Sequence, residues 1–381
     1  MNTINLNDLS PQEFLSQYWQ KKPLLIRNAI KDFQDPISPD ELAGLAMEEQ
    51  IEARLVWQKD GQWQAEHGPF EDYDHLGDKD WSLLIQGTDH FDRDVAELIR
   101  PFRFMPNWRI DDVMVSFATP GGGVGPHVDN YDVFIIQGSG KRHWQVGSNE
   151  QLTEVVAHQA LLHVEAFDPI IDVELLPGDM LYIPPGFPHQ GVALEPSMSF
   201  SVGFRTTSKA HLFSALADHV IDNQLHTDMV IDPERQVTSS PGLIDKQDFA
   251  KLKQALLEVI NDDDKLSDFF GSHLSQAKHE LDIDEPETDY QTLDVREGLN
   301  QGQQLVRIGG LRSVYFDNEQ SAGTIYINGE AFSADLALSD AIKLFADHTE
   351  LSPEQLSPWL GNEQLFEFVC QLLNSGYWYL D

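Results

Sequence analysis

Thr119-Pro-Gly-Gly-Gly-Val-Gly-Pro-His127-Val-Asp129, read together with Gly178-Asp-Met-Leu-Tyr-Ile-Pro-Pro-Gly-Phe-Pro-His189, decides the fold of this 381-residue chain. Residues i and i+2 of a β-strand point to the same side, so an extended stretch presents His127 and Asp129 together. Residues 131–137 are β-branched and aromatic enough to continue as a strand. The glycines ahead of His127 exclude a helix, permit positive φ and let main chain pass close to a ligand. In the second stretch Pro177-Gly178-Asp179 reads as a turn and residues 180–183 as a short buried strand. Pro184-Pro185-Gly186 is then the loop that delivers His189. His-x-Asp alone arises by chance, and a lone strand histidine is more often a hydrogen-bonded structural residue than a ligand. Followed by a second framed histidine, it reads as a metal site. His143, His158 and His163 have no such partner and read as structural or solvent-facing.

Two imidazoles and one carboxylate on one face of an ion, with the opposite face open, are the donor set of non-haem Fe(II) oxygenases. Gly-x5-His-x-Asp, residues 121–129, followed by Gly-x5-Pro-x-Gly-x2-His, residues 178–189, resembles the paired motifs of cupin barrels. There the two halves meet in the barrel mouth. Such an ion keeps three further positions, enough for the carboxylate and keto oxygens of a 2-oxo acid and for dioxygen. Decarboxylation of the 2-oxo acid to succinate then accompanies oxidation of an unactivated C–H bond.

The distal carboxylate of 2-oxoglutarate needs a fixed cation, preferably a bidentate one. Arg142 follows the Gly138-Ser139-Gly140 turn, two residues before Trp144, so both should face inward as a buried charge that needs pairing. Lys141 then points outward, although a one-residue slip exchanges them. Arg205 is the competing anchor, and a surface salt bridge is the alternative for either. Ser116 offers a hydroxyl to the same carboxylate, or simply occupies a polar strand face.

The chain has room for a barrel-sized core and one or two smaller units. Its hydrophobic content of 41% and eight tryptophans mark it as globular. No long apolar run and no basic, apolar leader pattern at residues 1–8 suggest a membrane, and one cysteine suits a reducing, cytoplasmic setting. A net charge of −38 argues against sequence-independent nucleic-acid binding and favours a basic partner; plain solubility explains it equally well.

Ser10-Pro11-Gln12-Glu13 is a capping box that predicts a helix through Phe14, Leu15, Tyr18 and Trp19, and Ser38-Pro39-Asp40-Glu41 predicts another through Met47. Between them residues 24–26 read as a strand after Lys22-Pro23. Lys59-Asp60-Gly61 is a hairpin turn. From 114 to 204 short apolar runs alternate with Gly/Pro turns, as in an all-β barrel or jelly roll. Residues 210–225 and 246–260 carry helical spacing around a loop at 233–242, with apolar faces that a partner chain could cover. Residues 282–294 read as an acidic linker. Beyond it come strands at 305–308, 313–316 and 324–327, helices after Ser339 and Ser352, and a last strand at Tyr377-Trp378-Tyr379. A winged-helix-like α+β unit without a basic stripe fits a structural or protein-binding role.

These residues carry a family likeness. Arg109-Ile-Asp-Asp112, the runs ending in Asp129 and His189, Tyr131-Asp-Val-Phe-Ile-Ile-Gln-Gly138, Ser201-Val-Gly-Phe-Arg205, Tyr18-Trp-Gln-Lys-Lys-Pro23 and Asn374-Ser-Gly-Tyr-Trp378 together resemble the JmjC-type ribosomal oxygenases, and among them the bacterial ribosomal-protein arginine hydroxylases. The resemblance implies a mainly β fold with α. It comprises a double-stranded β-helix (cupin/JmjC jelly roll) over 1–208, a helical dimerisation segment over 209–285 and a C-terminal winged-helix-like α+β domain over 286–381, assembled as a homodimer. It implies β-carbon hydroxylation of an arginine in a large-subunit ribosomal protein, the sixteenth, as a basic protein substrate. His127, Asp129 and His189 would bind Fe(II), and Arg142 and Ser116 would bind 2-oxoglutarate, with dioxygen as cosubstrate. The run Lys141-Arg142-His143 departs from a more arginine-rich family pattern. A related oxygenase acting on a histidine or a small molecule, or a non-catalytic cupin-like binding protein, are the competing readings.

Overall fold

The computed structural model describes residues 4–150, 152–317 and 323–381; Met1, Asn2 and Thr3, the start of the stretch read for a leader, lie outside them. Both N-terminal capping boxes form. Ser10 caps α1 (Pro11–Gln17) and Ser38 caps α2 (Pro39–Leu45), each Oγ accepting from the N–H of the glutamate three residues on, whose carboxylate accepts the return bond. Both helices end sooner than expected. The chain turns at Gln20 with φ +55, and Trp19 folds back onto Tyr182 and Phe204 instead of extending α1.

Strands β1 (Leu24–Ile26), β2 (Ala53–Lys59), β3 (Gln62–His67) and β4 (Trp81–Ile85) precede the region read as barrel. Asp60 and Gly61, both at positive φ, make the β2–β3 turn that the sequence signals. The short helix α3 (Arg93–Ala96) and a 3-10 turn at Glu97–Phe102 lead into β5 (Ile110–Ala118), which starts four residues before the expected boundary at Met114. Then follow β6 (His127–Val128), β7 (Asp132–Gln137), β8 (Arg142–Gly147), β9 (Glu154–His158), β10 (Leu161–Val164), β11 (Pro169–Leu175), β12 (Met180–Ile183), β13 (Pro188–Ala193) and β14 (Ser197–Phe204).

Eight strands form one sheet in the order β1-β12-β7-β14-β5-β4-β2-β3, and β11-β8-β13-β6 form a second. All pairings in both are antiparallel, as expected of a double-stranded β-helix. Alternation along each strand divides its residues between the two faces. Outward, Phe134, Phe200, Phe204 and Tyr182 pack with Phe14 and Phe102 from the preceding segments. Inward, Val133, Ile135, Leu181 and Ile183 meet Trp144, Val146 and Leu175 of the smaller sheet.

After the barrel come α4 (Lys209–Asp222) and α5 (Lys246–Ile260), as expected, and α6 (Asp263–Ser275), which the sequence reading did not mark. Asp262 caps α6, and Gly271 on it lies against the Tyr326 ring. Helix α7 (Thr292–Asn300) begins inside the stretch expected to be a linker. Then come β15 (Leu305–Arg307), β16 (Ser313–Val314), β17 (Thr324–Ile327), β18 (Glu330–Ser333), α8 (Ser339–Asp347), β19 (Glu350–Leu351), α9 (Pro353–Leu356), α10 (Glu363–Asn374) and β20 (Trp378–Leu380). Strand β16 is two residues shorter than expected, and β20 starts and ends one residue later. Ser352 caps only the single turn of α9; the long helix that follows is capped by Asn362. The C-terminal unit is bonded to the barrel. Arg312 donates to Ile110 O at 3.0 Å, and Asn107 Nδ2 donates to the carbonyls of Ser313 and Ala346.

Phe134 sits 4.8 Å, ring centre to ring centre, from both Phe102 and Tyr182. Phe134→Ala should therefore lower the unfolding free energy by about 3–5 kcal/mol, seen as an earlier denaturant midpoint. A shift near zero would remove this cluster from the core.

Candidate metal centre and cavity

His127 and His189 are direct register partners across β6 and β13, so their side chains emerge on one side of the small sheet. The ladder is only two residues long there. It is extended by the glycine run, where Gly121 N–H donates to Ala193 O and Ala193 N–H to Gly122 O. Gly123 has no room for a Cβ, which would stand 2.4 Å from Gly191 O. Gly125 lies at φ +82 with the His163 ring where a Cβ would be. His163 is thus a structural wedge, its Nε2 donating to Val124 O at 2.8 Å.

Asp129, one residue past the end of β6, brings its Oδ2 to 3.5 Å from His189 Nε2 and 3.9 Å from His127 Nε2. The three ligand atoms all lie within 4.8 Å of one another. Each imidazole places Nδ1 on the carbonyl two residues back, Gly125 O for His127 and Phe187 O for His189, both at 3.0 Å. A carbonyl can only accept, so Nδ1 carries the proton and each Nε2 keeps its lone pair for an ion. Burial, and after it the neighbouring His127, pushes His189 down to about 4, which keeps it neutral.

The triad opens into a cavity of about 300 Å³ between the two sheets. Arg142 is buried at one end of the lining and Trp144 lies on the same face, as their spacing predicted; Lys141 is exposed. Arg142 donates from Nη1 to Ser116 Oγ at 2.9 Å, from Nε to Ser197 Oγ at 3.0 Å, and from Nη2 to the carbonyls of both serines. Among the described residues it has no ion pair. The expected buried charge is therefore solvated by neutral oxygens, and burial lowers it to about 9. Arg205 is elsewhere. It pairs with Asp111 at 3.1 Å and donates to Gln276 O, tying the barrel to the end of α6.

Several cavity residues escaped the sequence reading. Asp112 and Met114 share a face with Ser116 on β5, and the two-residue period running back from Ser116 was the available signal. Asp112 accepts from Gly87 N–H and pairs with His279. Burial alone would raise its carboxyl, but His279, Gly87 N–H and Lys278 together hold it below the ordinary range. Arg54, Tyr131 and Lys278 also line the cavity, and Lys278 comes from a segment no local pattern connects to the barrel.

Residues 97–212 match the JmjC domain family, and residues 258–379 match the ROXA-like winged helix. Over 369 residues the chain is 46% identical to the ribosomal protein uL16 3-hydroxylase of Escherichia coli (strain K12), covering 97% of each. The chain belongs to the JmjC ribosomal oxygenases. Among solved structures, this ribosomal oxygenase is similar to Escherichia coli YcfD, with TM-score 0.93 and 45% identity over 100% of both chains. YcfD in complex with cobalt and 2-oxoglutarate matches at TM-score 0.91 and 44% identity, again over 100% of both chains.

The depressed His189 has a consequence for the metal-free protein. An unfolded histidine takes up its proton near 6.5, the folded one only near 4, so between those values the unfolded state binds more protons. The contribution is complete above about pH 6.5 and is lost as pH falls toward about 4, to the extent of a few kcal/mol. Urea unfolding across this range should show a shallower pH slope in His189→Gln than in the wild type. Equal slopes would count against a neutral, buried imidazole.

Proposed function

We propose that this ribosomal oxygenase uses Fe(II), 2-oxoglutarate and dioxygen to hydroxylate the β-carbon of an arginine in the sixteenth large-subunit ribosomal protein. The observation that carries the reading is one cavity holding both an open His–Asp–His donor set and a buried arginine without a counter-charge. The donor set fits a first-row ion: with bonds of about 2.0–2.2 Å, two atoms on one ion lie no more than about 4.4 Å apart. The contacts of Asp129 with His189 and His127, 3.5 and 3.9 Å, satisfy that limit, and all three ligand atoms lie within 4.8 Å of one another. When bound, such an ion with 2-oxoglutarate supplies oxidising power toward an unactivated C–H bond.

His127, Asp129 and His189 hold the ion. Arg142 offers a fixed cation to the distal carboxylate of 2-oxoglutarate. Ser116 already accepts from Arg142, so its own hydroxyl proton is free to be donated to the same carboxylate. The buried Trp144 Nε1 lines the cavity and has no acceptor among the described residues, so a bound oxygen would satisfy it. Asp111 and Asp112 stand in the same lining, where they are paired with Arg205, Lys278 and His279, so the acidic overall charge of the chain is what suits a basic protein substrate. Support for the substrate comes from the relative, whose name is that of a uL16 3-hydroxylase, and support for the cosubstrate from the YcfD complex with 2-oxoglutarate.

The proposed division is catalytic residues 1–208, a dimerisation segment at 209–285 and a winged-helix-like unit at 286–381, with α6 packed on the last. Helices α4 and α5 bury no residue, yet Phe249, Leu252, Leu256 and Ile260 form one exposed stripe along α5. A second copy covering this face makes the protein a homodimer. No described helix is long and apolar enough to cross a membrane. A cytoplasmic enzyme that meets ribosomal protein without binding nucleic acid directly is the setting we propose.

Wild-type enzyme with Fe(II), 2-oxoglutarate and a basic peptide from that ribosomal protein should release succinate and add one oxygen to arginine, read by mass spectrometry. Succinate without a modified peptide would move the substrate assignment to another residue or molecule. Arg142→Ala should raise the KM for 2-oxoglutarate between about ten- and a hundredfold, the worth of a charge-assisted bond. Phe249→Glu should shift the light-scattering mass toward that of one chain, and an unchanged mass would take α5 out of the dimer contact.

A further inference from the structure

A crevice between the barrel and the C-terminal unit gathers five arginines, away from the cavity described above. Arg93, Arg100, Arg103, Arg307 and Arg312 line an inner space of about 60 Å³. It shares Arg100, Arg103, Thr349 and Glu350 with an outer space of about 320 Å³. The chain has 25 basic residues against 63 acidic ones, so a local excess of arginine runs against its overall balance.

Four of the nearby acids are already paired with arginines. Glu97 pairs with Arg100 at 3.1 Å, Glu350 and Asp381 each pair with Arg93 at 3.6 Å, and Asp89 pairs with Arg312 at 3.4 Å. The Asp347 carboxylate, which accepts from Tyr315 OH at 3.1 Å, keeps its charge near Arg103 but makes no ion pair with it. Arg103 and Arg307, both half-buried, have no ion pair among the described residues. Arg103 donates to the main-chain carbonyl of Asp347 at 2.9 Å. Arg307 Nη1 donates to Ser313 Oγ at 2.7 Å, while its Nε is buried without an acceptor. Burial, and then Arg103 and Arg312, holds Arg307 well below its ordinary range. The main-chain N–H groups of Gly309 and Gly310, in the same lining, bond no acceptor among the described residues.

Neighbouring cations withdrawn from water without a counter-charge are costly, and an anion between them removes the cost. We propose that this crevice binds a phosphate group, either free phosphate or the terminal group of a small phosphorylated molecule. Two guanidiniums match a charge near −2, which phosphate monoesters carry at neutral pH. Tetrahedrally disposed oxygens accept from several directions at once, as donors on two sides of a crevice require, and each guanidinium can present a bidentate edge. Unpaired loop amides are a further feature of such anion sites.

Calorimetric titration of the full-length protein with inorganic phosphate and, separately, with adenosine monophosphate tests this at fixed ionic strength. Saturable binding of at least one, with Kd of about a millimolar or tighter, is expected. Equal affinity for both would identify free phosphate as sufficient; tighter binding of the nucleotide would identify a phosphorylated molecule as the occupant. Arg103→Gln and Arg307→Met should each weaken binding about tenfold or more. Circular dichroism and the ligand-free unfolding midpoint report on folding, and Arg103→Gln keeps the test intact should Arg307→Met loosen the interface. Absence of saturable binding in the wild type, or retention within about twofold in a folded Arg103→Gln, would overturn the proposal.

Discussion

The short pairing of β6 with β13 is what brings the chemistry of the molecule to one place. Because His127 and His189 are register partners, the two imidazoles need no long-range adjustment to share one space. A one-residue slip of either strand would send its histidine to the other face. The glycine run prevents that slip by bonding β13 beyond the end of β6 and by passing close to Gly191 where no side chain fits. Asp129 is held from its other side, where Gly186 N–H donates to its carbonyl. The triad is therefore a product of backbone pairing first and of side-chain packing second.

Around that pairing the barrel grades in polarity. Arg142 and three buried serines, Ser116, Ser197 and Ser199, form one polar, cationic patch. Asp111 and Asp112, elsewhere in the lining, are held by Arg205, Lys278 and His279. Those last three residues belong to the junction with the C-terminal unit. The packing of that unit on the barrel thus fixes the carboxylates of the cavity wall.

The metal triad was readable because each ligand stands in a frame of turn residues with strand spacing, and Arg142 because its parity with Trp144 determines its face. Local patterns also marked α1, α2, α4 and α5 through caps and apolar spacing. What stayed hidden is non-local. Nothing near β2 to β4 says that they extend the same sheet as β14, and nothing near Lys278 says that it reaches the cavity. Helix α6 was masked by three consecutive aspartates, Asp262 to Asp264, whose role is to cap and charge its first turn. Strand β18 carried a readable signal, the Asn328-Gly329 turn with both residues at positive φ, that was passed over. Arg205 was a fair rival to Arg142 in sequence because only the tertiary structure shows which of the two faces inward.

Each liganding imidazole is aimed by the carbonyl of its own chain two positions upstream, not by a neighbouring side chain. The reactive centre and the walls that choose its guest are consequently inherited through different parts of the code. Mutational drift can repaint the lining, and so redirect the enzyme to another target, while the lone pairs keep pointing at the same spot.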